Sequence, residues 1–128
     1  EIGADAVNYR ETAHHGPVES PTCLAVDPVQ GLVAVGGAGG SVKVWGRVGV
    51  ERKLRAAGES SCICCVEFVA GRGLLLAGTD APSLQMWDLR KPACLSERCQ
   101  SLALPSPPRC VAAPPEAPGW CFVGGEDG

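Results

Sequence analysis

Residues 22–46 read TCLAVDPVQGLVAVGGAGGSVKVWG, residues 62–88 read CICCVEFVAGRGLLLAGTDAPSLQMWD, and residues 110–128 read CVAAPPEAPGWCFVGGEDG. Each begins with an apolar run, turns at Gly or Pro, and enters a second apolar run that ends on Gly. In the first two a third run follows and closes on Trp. Trp45 and Trp87 stand 42 positions apart, and so do Gly36 and Gly78. Two different landmarks with one offset mark an internal repeat. Gly124 follows Gly78 by 46 positions, and the extra length falls where turns are expected, which is where repeats tolerate insertions.

Within the repeat the local patterns are those of strands. In Ser41–Trp45, Val42 and Val44 point to one face while Lys43 and Trp45 point to the other; in Ser83–Trp87, Leu84 and Met86 share a side. The runs Gly36–Gly40 and Gly78-Thr79-Asp80-Ala81-Pro82 have compositions that permit the positive φ of hairpin turns. No stretch sustains a 3.6-residue apolar period with caps, so little helix is expected. Strands repeating every 40 to 45 residues predict an all-β fold, a WD40-type β-propeller fragment of about two and a half blades of antiparallel sheet. The expected division is an irregular lead-in over 1–20, blades over 21–58 and 59–104, and a partial blade over 105–128. Residues 91–109, rich in Pro, Ser and Cys, are expected to carry the outer strand of the second blade and a proline-rich crossover. The chain begins without Met and reads as an internal fragment of something larger. An open array of blades leaves an apolar flank and a cut sheet edge, so on its own it is expected to be marginally stable or to aggregate.

Composition narrows the function classes. The 128 residues carry a formal net charge of −3, with 45% apolar and 5% aromatic residues, 17 Gly and 11 Pro, a mixture suited to short strands and tight turns. No broad positive field exists for nucleic acid or an anionic bilayer. Arg52, Lys53 and Arg55 form a short basic run preceded by Glu51, read as a solvated strand edge. No apolar run approaches the roughly 20 residues that span a bilayer, and the first residues lack a signal-peptide layout. Eight cysteines contain no CxxC pair, and Cys23, Cys62, Cys64, Cys110 and Cys121 lie in apolar runs where a reduced thiol behaves as a small buried hydrophobe. This points to a reducing, cytosolic compartment. In Cys62-Ile63-Cys64-Cys65 strand alternation sets Cys65 opposite Cys62 and Cys64, so the three thiols do not converge on a metal. His14 and His15 lack a third ligand. Gly36–Gly40 forms no GxGxxG and precedes a strand, Glu126-Asp127 reads as a turn, and no hydrolase motif is present, so neither enzyme chemistry, cofactor nor small-molecule substrate is expected. No Ser or Thr stands out as a modification site.

The stretch Ser20–Gly36, with its Asp27-Pro28-Val29-Gln30-Gly31 turn, resembles a block near the start of the tomosyn/lethal giant larvae family. Gly46-Arg47-Val48-Gly49-Val50-Glu51 is similar to the Gly-x-Pro-Gly-Val-Glu exit that follows in those proteins, and His15-Gly16-Pro17 to their lead-in without its aromatic. Leu84–Arg90 and Gly119–Gly128 resemble tomosyn more than lethal giant larvae. The resemblance implies a family motif carried by Asp27, Pro28, Gly31, Gly36, Trp45, Gly49, Val50, Glu51, Gly78, Trp87 and Gly124. It also implies two consecutive seven-bladed propellers, no catalysis, and regulation of vesicle exocytosis and cell polarity by binding syntaxin-type SNAREs and cortical partners, with myosin II and Rab GTPases as further candidates. A cytoplasmic protein, peripheral at the plasma membrane through its partners, is the expected setting. In tomosyn itself the clearest SNARE-binding element is a carboxy-terminal coiled coil, which does not occur in these residues, so the blades read as scaffold or accessory surface. A WD40 adaptor outside the family is the alternative. No Gly-His pair precedes either first strand, so the usual His–Asp–Ser–Trp hydrogen-bond chain is expected to be incomplete. Apolar packing then carries more of the stability, led by Trp45 and Trp87, each able to remove on the order of 200 Å2 from water.

Overall fold

The alternating Val, Leu, Ala and Cys runs fold as short strands because each run has one face to bury and a Gly-, Asp- or Pro-bearing turn at its end. The computed structural model describes residues 18–46, 51–57, 62–91 and 100–127. Within them lie ten strands and no helix: β1 (Pro21–Asp27), β2 (Leu32–Gly37), β3 (Ser41–Trp45), β4 (Glu51–Arg55), β5 (Ile63–Val69), β6 (Leu74–Thr79), β7 (Ser83–Asp88), β8 (Gln100–Ala103), β9 (Pro108–Ala112) and β10 (Phe122–Gly125). They form two four-stranded antiparallel meanders, β1-β2-β3-β4 and β5-β6-β7-β8, and an antiparallel pair, β9-β10. The first strands β1, β5 and β9 pack in sequence against one another, so the sheets fan out side by side as propeller blades do.

The 42-residue offset of the sequence is the offset of the structure. Cys23 pairs with Gly36 and Cys65 with Gly78; Trp45 pairs with Val33 and Trp87 with Leu75. Val42 and Val44 are buried toward the second sheet, as their alternation requires, alongside Ala25, Ala34 and Leu54. They meet Ile63, Val66, Phe68, Leu75, Ala77 and Trp87 from the facing side of the second sheet. The opposite face of that sheet offers Cys65, Leu76, Leu84 and Met86 to Val111 of the third.

Trp87 is fully buried in this core, whereas Trp45 is only half-buried. The repeat explains the difference: Trp87 faces back onto the first sheet, and Trp45 faces back from it, where the described chain offers no further sheet. Leu24 and Val26 share that flank and stay 63% and 55% exposed.

The turns depart from expectation in one place. The β2–β3 turn does use a left-handed glycine, Gly40 at φ 76°. The β6–β7 turn has no positive φ; Thr79 Oγ1 instead hydrogen-bonds the Ala81 carbonyl at 3.0 Å and meets Ser83 Oγ at 2.6 Å, an arrangement of side chains that closes the turn without glycine.

Gly36 and Gly78 serve packing rather than turning. A Cβ on Gly36 would lie 2.5 Å from Ile63 Cγ2 and 2.7 Å from Cys23 Sγ; one on Gly78 would lie 2.4 Å from Pro108 Cγ and 2.6 Å from Cys65 Sγ. Each strand-ending glycine is thus the hollow into which its own first strand and that of the next sheet press. In the third repeat a Cβ on Gly124 would meet only Cys110 Sγ, at 2.7 Å.

Candidate functional site

Each first strand carries the same irregularity. The pairing slips between Pro21 and Cys23, between Ile63 and Cys65, and opposite Pro108–Cys110 between Gly124 and Gly125. The extra residues are Thr22, Cys64 and Arg109, one per sheet, and a bulge re-aims the side chain it carries. All three line one open cavity of about 330 Å3 at the end of the first strands, together with Cys62, Asp80, Pro107, Pro108 and Glu126. The strand ends are tied there by polar groups. Thr22 Oγ donates to the Ile63 carbonyl, the Cys62 amide donates to Asp80 Oδ1 at 2.8 Å, and Asp80's own amide donates to the Cys62 carbonyl at 3.1 Å. Arg109 Nη2 pairs with Glu126 Oε1 at 2.6 Å, with both side chains largely in solvent.

This surface offers a hydroxyl, a carboxylate, an ion pair and two thiols. Burial is the first cause that raises the Cys62 and Cys64 thiols above the ordinary range, with Asp80 adding to both, and Cys65 is pushed up to about 11, mainly by burial. Protonated thiols are poor nucleophiles. No group of three or more His, Cys, Asp or Glu close enough to hold a metal occurs among the described residues. The chemistry on offer is hydrogen bonding and charge pairing with a partner chain.

Two polar clasps fix the sheets that shape this surface. Asp27 is fully buried; its Oδ1 accepts the amides of Val29 at 2.9 Å and Gln30 at 3.2 Å, and its Oδ2 accepts the Gly71 amide of the β5–β6 turn at 3.4 Å. The Asp27-Pro28-Val29-Gln30 turn is therefore a bond between neighbouring sheets. Gln85, 2% exposed, brackets residue 57: Ala57 N donates to Oε1 at 2.8 Å and Nε2 donates to the Ala57 carbonyl at 3.1 Å. Gln85 Nε2 also reaches Ser83 Oγ at 3.3 Å, which joins it to Thr79. A polar chain thus crosses from the end of the first sheet into the second, by a route other than the missing histidine. This polar chain stands beside the apolar packing expected to carry more of the stability. Trp87 Nε1, buried, finds no acceptor among the described residues.

Of the residues singled out from sequence, Asp27, Gly36, Gly78 and Trp87 are buried at sheet contacts, while Pro28 and Gly31 lie exposed in the β1–β2 turn, with Gly31 at φ 66°. Trp45 stands on the open flank and Gly124 on the third sheet; Glu51 opens β4 opposite Trp45. Gly49 and Val50 fall outside the described residues, as do His14, His15, His15-Gly16-Pro17, Cys94 and Cys99. The thiols differ from expectation. Among the described residues Cys65 is the buried one, Cys23, Cys62 and Cys64 are partly covered, and Cys110 and Cys121 are exposed, on a third sheet that has two described strands and no further described sheet beside it. Gln85, Thr79, Ser83 and Asp80 were not singled out from sequence. The available signal was a glutamine at the position that alternates onto the same face as Trp87.

No protein-family model matches the chain. It is 37% identical over 89 residues to the lethal(2) giant larvae protein of Drosophila melanogaster, a match covering 66% of the chain and 8% of that protein. It is 33% identical over 103 residues to human lethal(2) giant larvae protein homolog 1, covering 78% of the chain and 10% of that protein. Mouse LLGL scribble cell polarity complex component 2 is 29% identical over 106 residues, with 81% and 10% covered. Among solved structures, Chaetomium thermophilum Sqt1 bound to the N-terminus of the ribosomal protein L10 superposes with TM-score 0.67 at 26% identity, covering 84% of the chain and 29% of Sqt1. The β-propeller domain of Myceliophthora thermophila Cps50 (Swd1) superposes with TM-score 0.61 at 24% identity over 74% of the chain and 28% of that domain. The side-by-side sheets with their 42-residue register and these likenesses agree: the chain is a fragment of a WD40-type β-propeller, related in sequence to the lethal giant larvae proteins.

Proposed function

We propose that the chain is a non-enzymatic, protein-binding part of a lethal giant larvae-like scaffold that acts in cell polarity and, through syntaxin-type SNAREs, in vesicle exocytosis. The observation that carries this reading is the 29–38% identity to lethal giant larvae proteins across 63–81% of the chain, together with its repeated antiparallel sheets. The chain spans 8–10% of those relatives, so it supplies a share of a larger binding surface. The bulged ends of β1, β5 and β9, with Thr22, Asp80 and the Arg109–Glu126 pair, are the surface we assign to the partner. Myosin II and Rab GTPases are further partners in keeping with the reading, and the protein would sit in the cytoplasm and reach the plasma membrane through them.

The test is co-precipitation from purified components, comparing the longer protein with a version lacking these 128 residues, against a syntaxin-type SNARE and myosin II. Reduced capture of either, restored by adding the segment back, supports the proposal. Undiminished capture of both refutes it.

The likeness to Sqt1, whose structure holds the N-terminus of a ribosomal protein, favours a second reading, an adaptor that grips an extended segment of some other partner. In that case SNARE binding is absent while an Asp80→Ala, Arg109→Ala double variant still loses its partner.

A further inference from the structure

We propose that Ser106 is a phosphorylation site for a proline-directed Ser/Thr protein kinase, and that the phosphate works by forcing the Gly125–Asp127 turn off the connection between β8 and β9. The proposal stands whichever partner the neighbouring surface binds. Ser106 lies in Leu104-Pro105-Ser106-Pro107-Pro108, the crossover from the second sheet to the third. Pro105, Pro107 and Pro108 have no amide hydrogen, so this segment has few donors with which to join a ladder, and a residue before proline is held away from helical geometry. Leu104 spends its own amide on the Pro82 carbonyl at 2.8 Å. What remains is a short connection outside any strand at Pro105–Pro107, with Pro105 exposed and Ser106 partly so, of the kind a kinase cleft accepts.

Its surroundings turn the modification into a switch. The Ser106 hydroxyl donates to Asp127 Oδ1. The adjacent Glu126 amide donates to the Pro107 carbonyl at 3.3 Å, and the Glu126 carboxylate holds Arg109. Gly125 approaches so closely that a Cβ there would lie 2.6 Å from Ser106 Oγ. Arg109 against Glu126 and Asp127 leaves this group at a formal charge of −1. A phosphoserine brings it to about −3 and replaces a hydroxyl donor facing Asp127 with a second anion. The new charge stands directly against the Asp127 carboxylate, at the point where β10 already slips between Gly124 and Gly125. The turn leaves, the Glu126–Pro107 hydrogen bond opens, and Arg109 exchanges Glu126 for the phosphate, a stronger charge-assisted partner.

The chemistry is ordinary phosphoryl transfer. With Mg-ATP as co-substrate, Ser106 Oγ forms a bond to the γ-phosphorus while the bond from that phosphorus to the β–γ bridging oxygen breaks. ADP leaves, and the hydroxyl proton passes to the kinase's base.

The test incubates the full chain, first shown by amide exchange to be protected over β5–β7, with a proline-directed kinase and Mg-ATP, and maps the phosphate by mass spectrometry. Ser20, the other Ser followed by Pro, is the internal competitor; its φ of 48° and the hydrogen bond from the Ala38 amide to its carbonyl tie its backbone down. Phosphate on Ser106, lost in Ser106→Ala, with exchange of the Glu126 amide raised roughly 10-fold, is the expected result. Asp127→Asn, which takes the phosphate but lacks the facing charge, should show a much smaller rise. Phosphate on Ser20 and not Ser106 overturns the site. Phosphate on Ser106 with exchange over 122–127 unchanged, or raised equally in Asp127→Asn, overturns the switch.

Discussion

Adding a single methyl group at the strand-ending glycines tests whether the repeat landmark exists for packing. In Gly36→Ala the new Cβ must find room against Ile63 Cγ2 at 2.5 Å and Cys23 Sγ at 2.7 Å; in Gly78→Ala it meets the ring of the buried Pro108 at 2.4 Å and Cys65 Sγ at 2.6 Å. Both overlaps involve neighbours pinned by their own sheets, so the cost is that of overpacking, about 1–3 kcal/mol. Replacing Gly restricts the unfolded chain and returns about 0.4–1 kcal/mol, which leaves a net loss of roughly 1–2 kcal/mol. Gly124→Ala meets one thiol, on an exposed cysteine that can turn away, and should cost less. Gly39→Ala meets nothing within 4 Å and has no left-handed φ, so it should be neutral or slightly stabilising. The assay is urea unfolding of the four variants. With a slope of about 2 kcal/mol per M, the first two should lower the midpoint by roughly 0.5–1 M at unchanged slope. The reasoning fails if Gly36→Ala and Gly78→Ala unfold with wild type, or if Gly39→Ala loses as much as they do.

Four further outcomes follow from the same geometry. Gln85→Leu should cost about 1–2 kcal/mol, because it removes both hydrogen bonds to the Ala57 backbone, and urea unfolding should show Gln85→Glu destabilised at least as much, since a buried carboxylate oxygen would face the Ala57 carbonyl where the amide donor stood. Asp27→Ala leaves three amides without their acceptor and should lose about 2–3 kcal/mol, with Asp27→Asn milder and exchange at Gly71 accelerated in the alanine variant. Burial raises the Glu67 carboxyl above its usual value, so the folded state keeps its proton longer than the unfolded chain does. Stability therefore falls as pH rises through that window, and Glu67→Gln should raise Tm at pH 7 and be indistinguishable from wild type below about pH 4. At pH 8 a thiol at about 11 is roughly one part in a thousand thiolate, against roughly a quarter for an ordinary cysteine. A disulfide reagent should thus label exposed Cys110 and Cys121 at once and Cys65 only on unfolding; immediate labelling of Cys65 would contradict the packing described.

Much of the architecture was legible because it is written in local periods. Val42 and Val44 against Lys43 and Trp45 give the two faces of β3, since successive side chains in a strand alternate, and the offset shared by Trp and Gly gives the repeat. The family resemblance rested on the Asp27-Pro28-Val29-Gln30 turn, and that turn does occupy a distinctive place in the fold. Its partner, the Gly71 amide, lies 44 residues away in the next sheet, a pairing no local pattern announces. The Gln85 bracket around Ala57 was missed for the same reason. A glutamine's amide reads as ordinary polarity until a neighbouring sheet brings a backbone N–H and C=O to it.

The polypeptide alone, then, determined the strands, their faces, their spacing and the family to which they are related, because these depend on residues close in the chain. What pressed against those faces depended on how the sheets stand beside one another. That stacking made Gly36 and Gly78 hollows rather than hinges, covered Trp87 while leaving its counterpart Trp45 half in water, and exposed Cys110 and Cys121. It also gathered Thr22, Cys64 and Arg109, from three sheets, around one cavity. Burial and convergence are properties of distant segments meeting, and only the tertiary structure sets which segments meet.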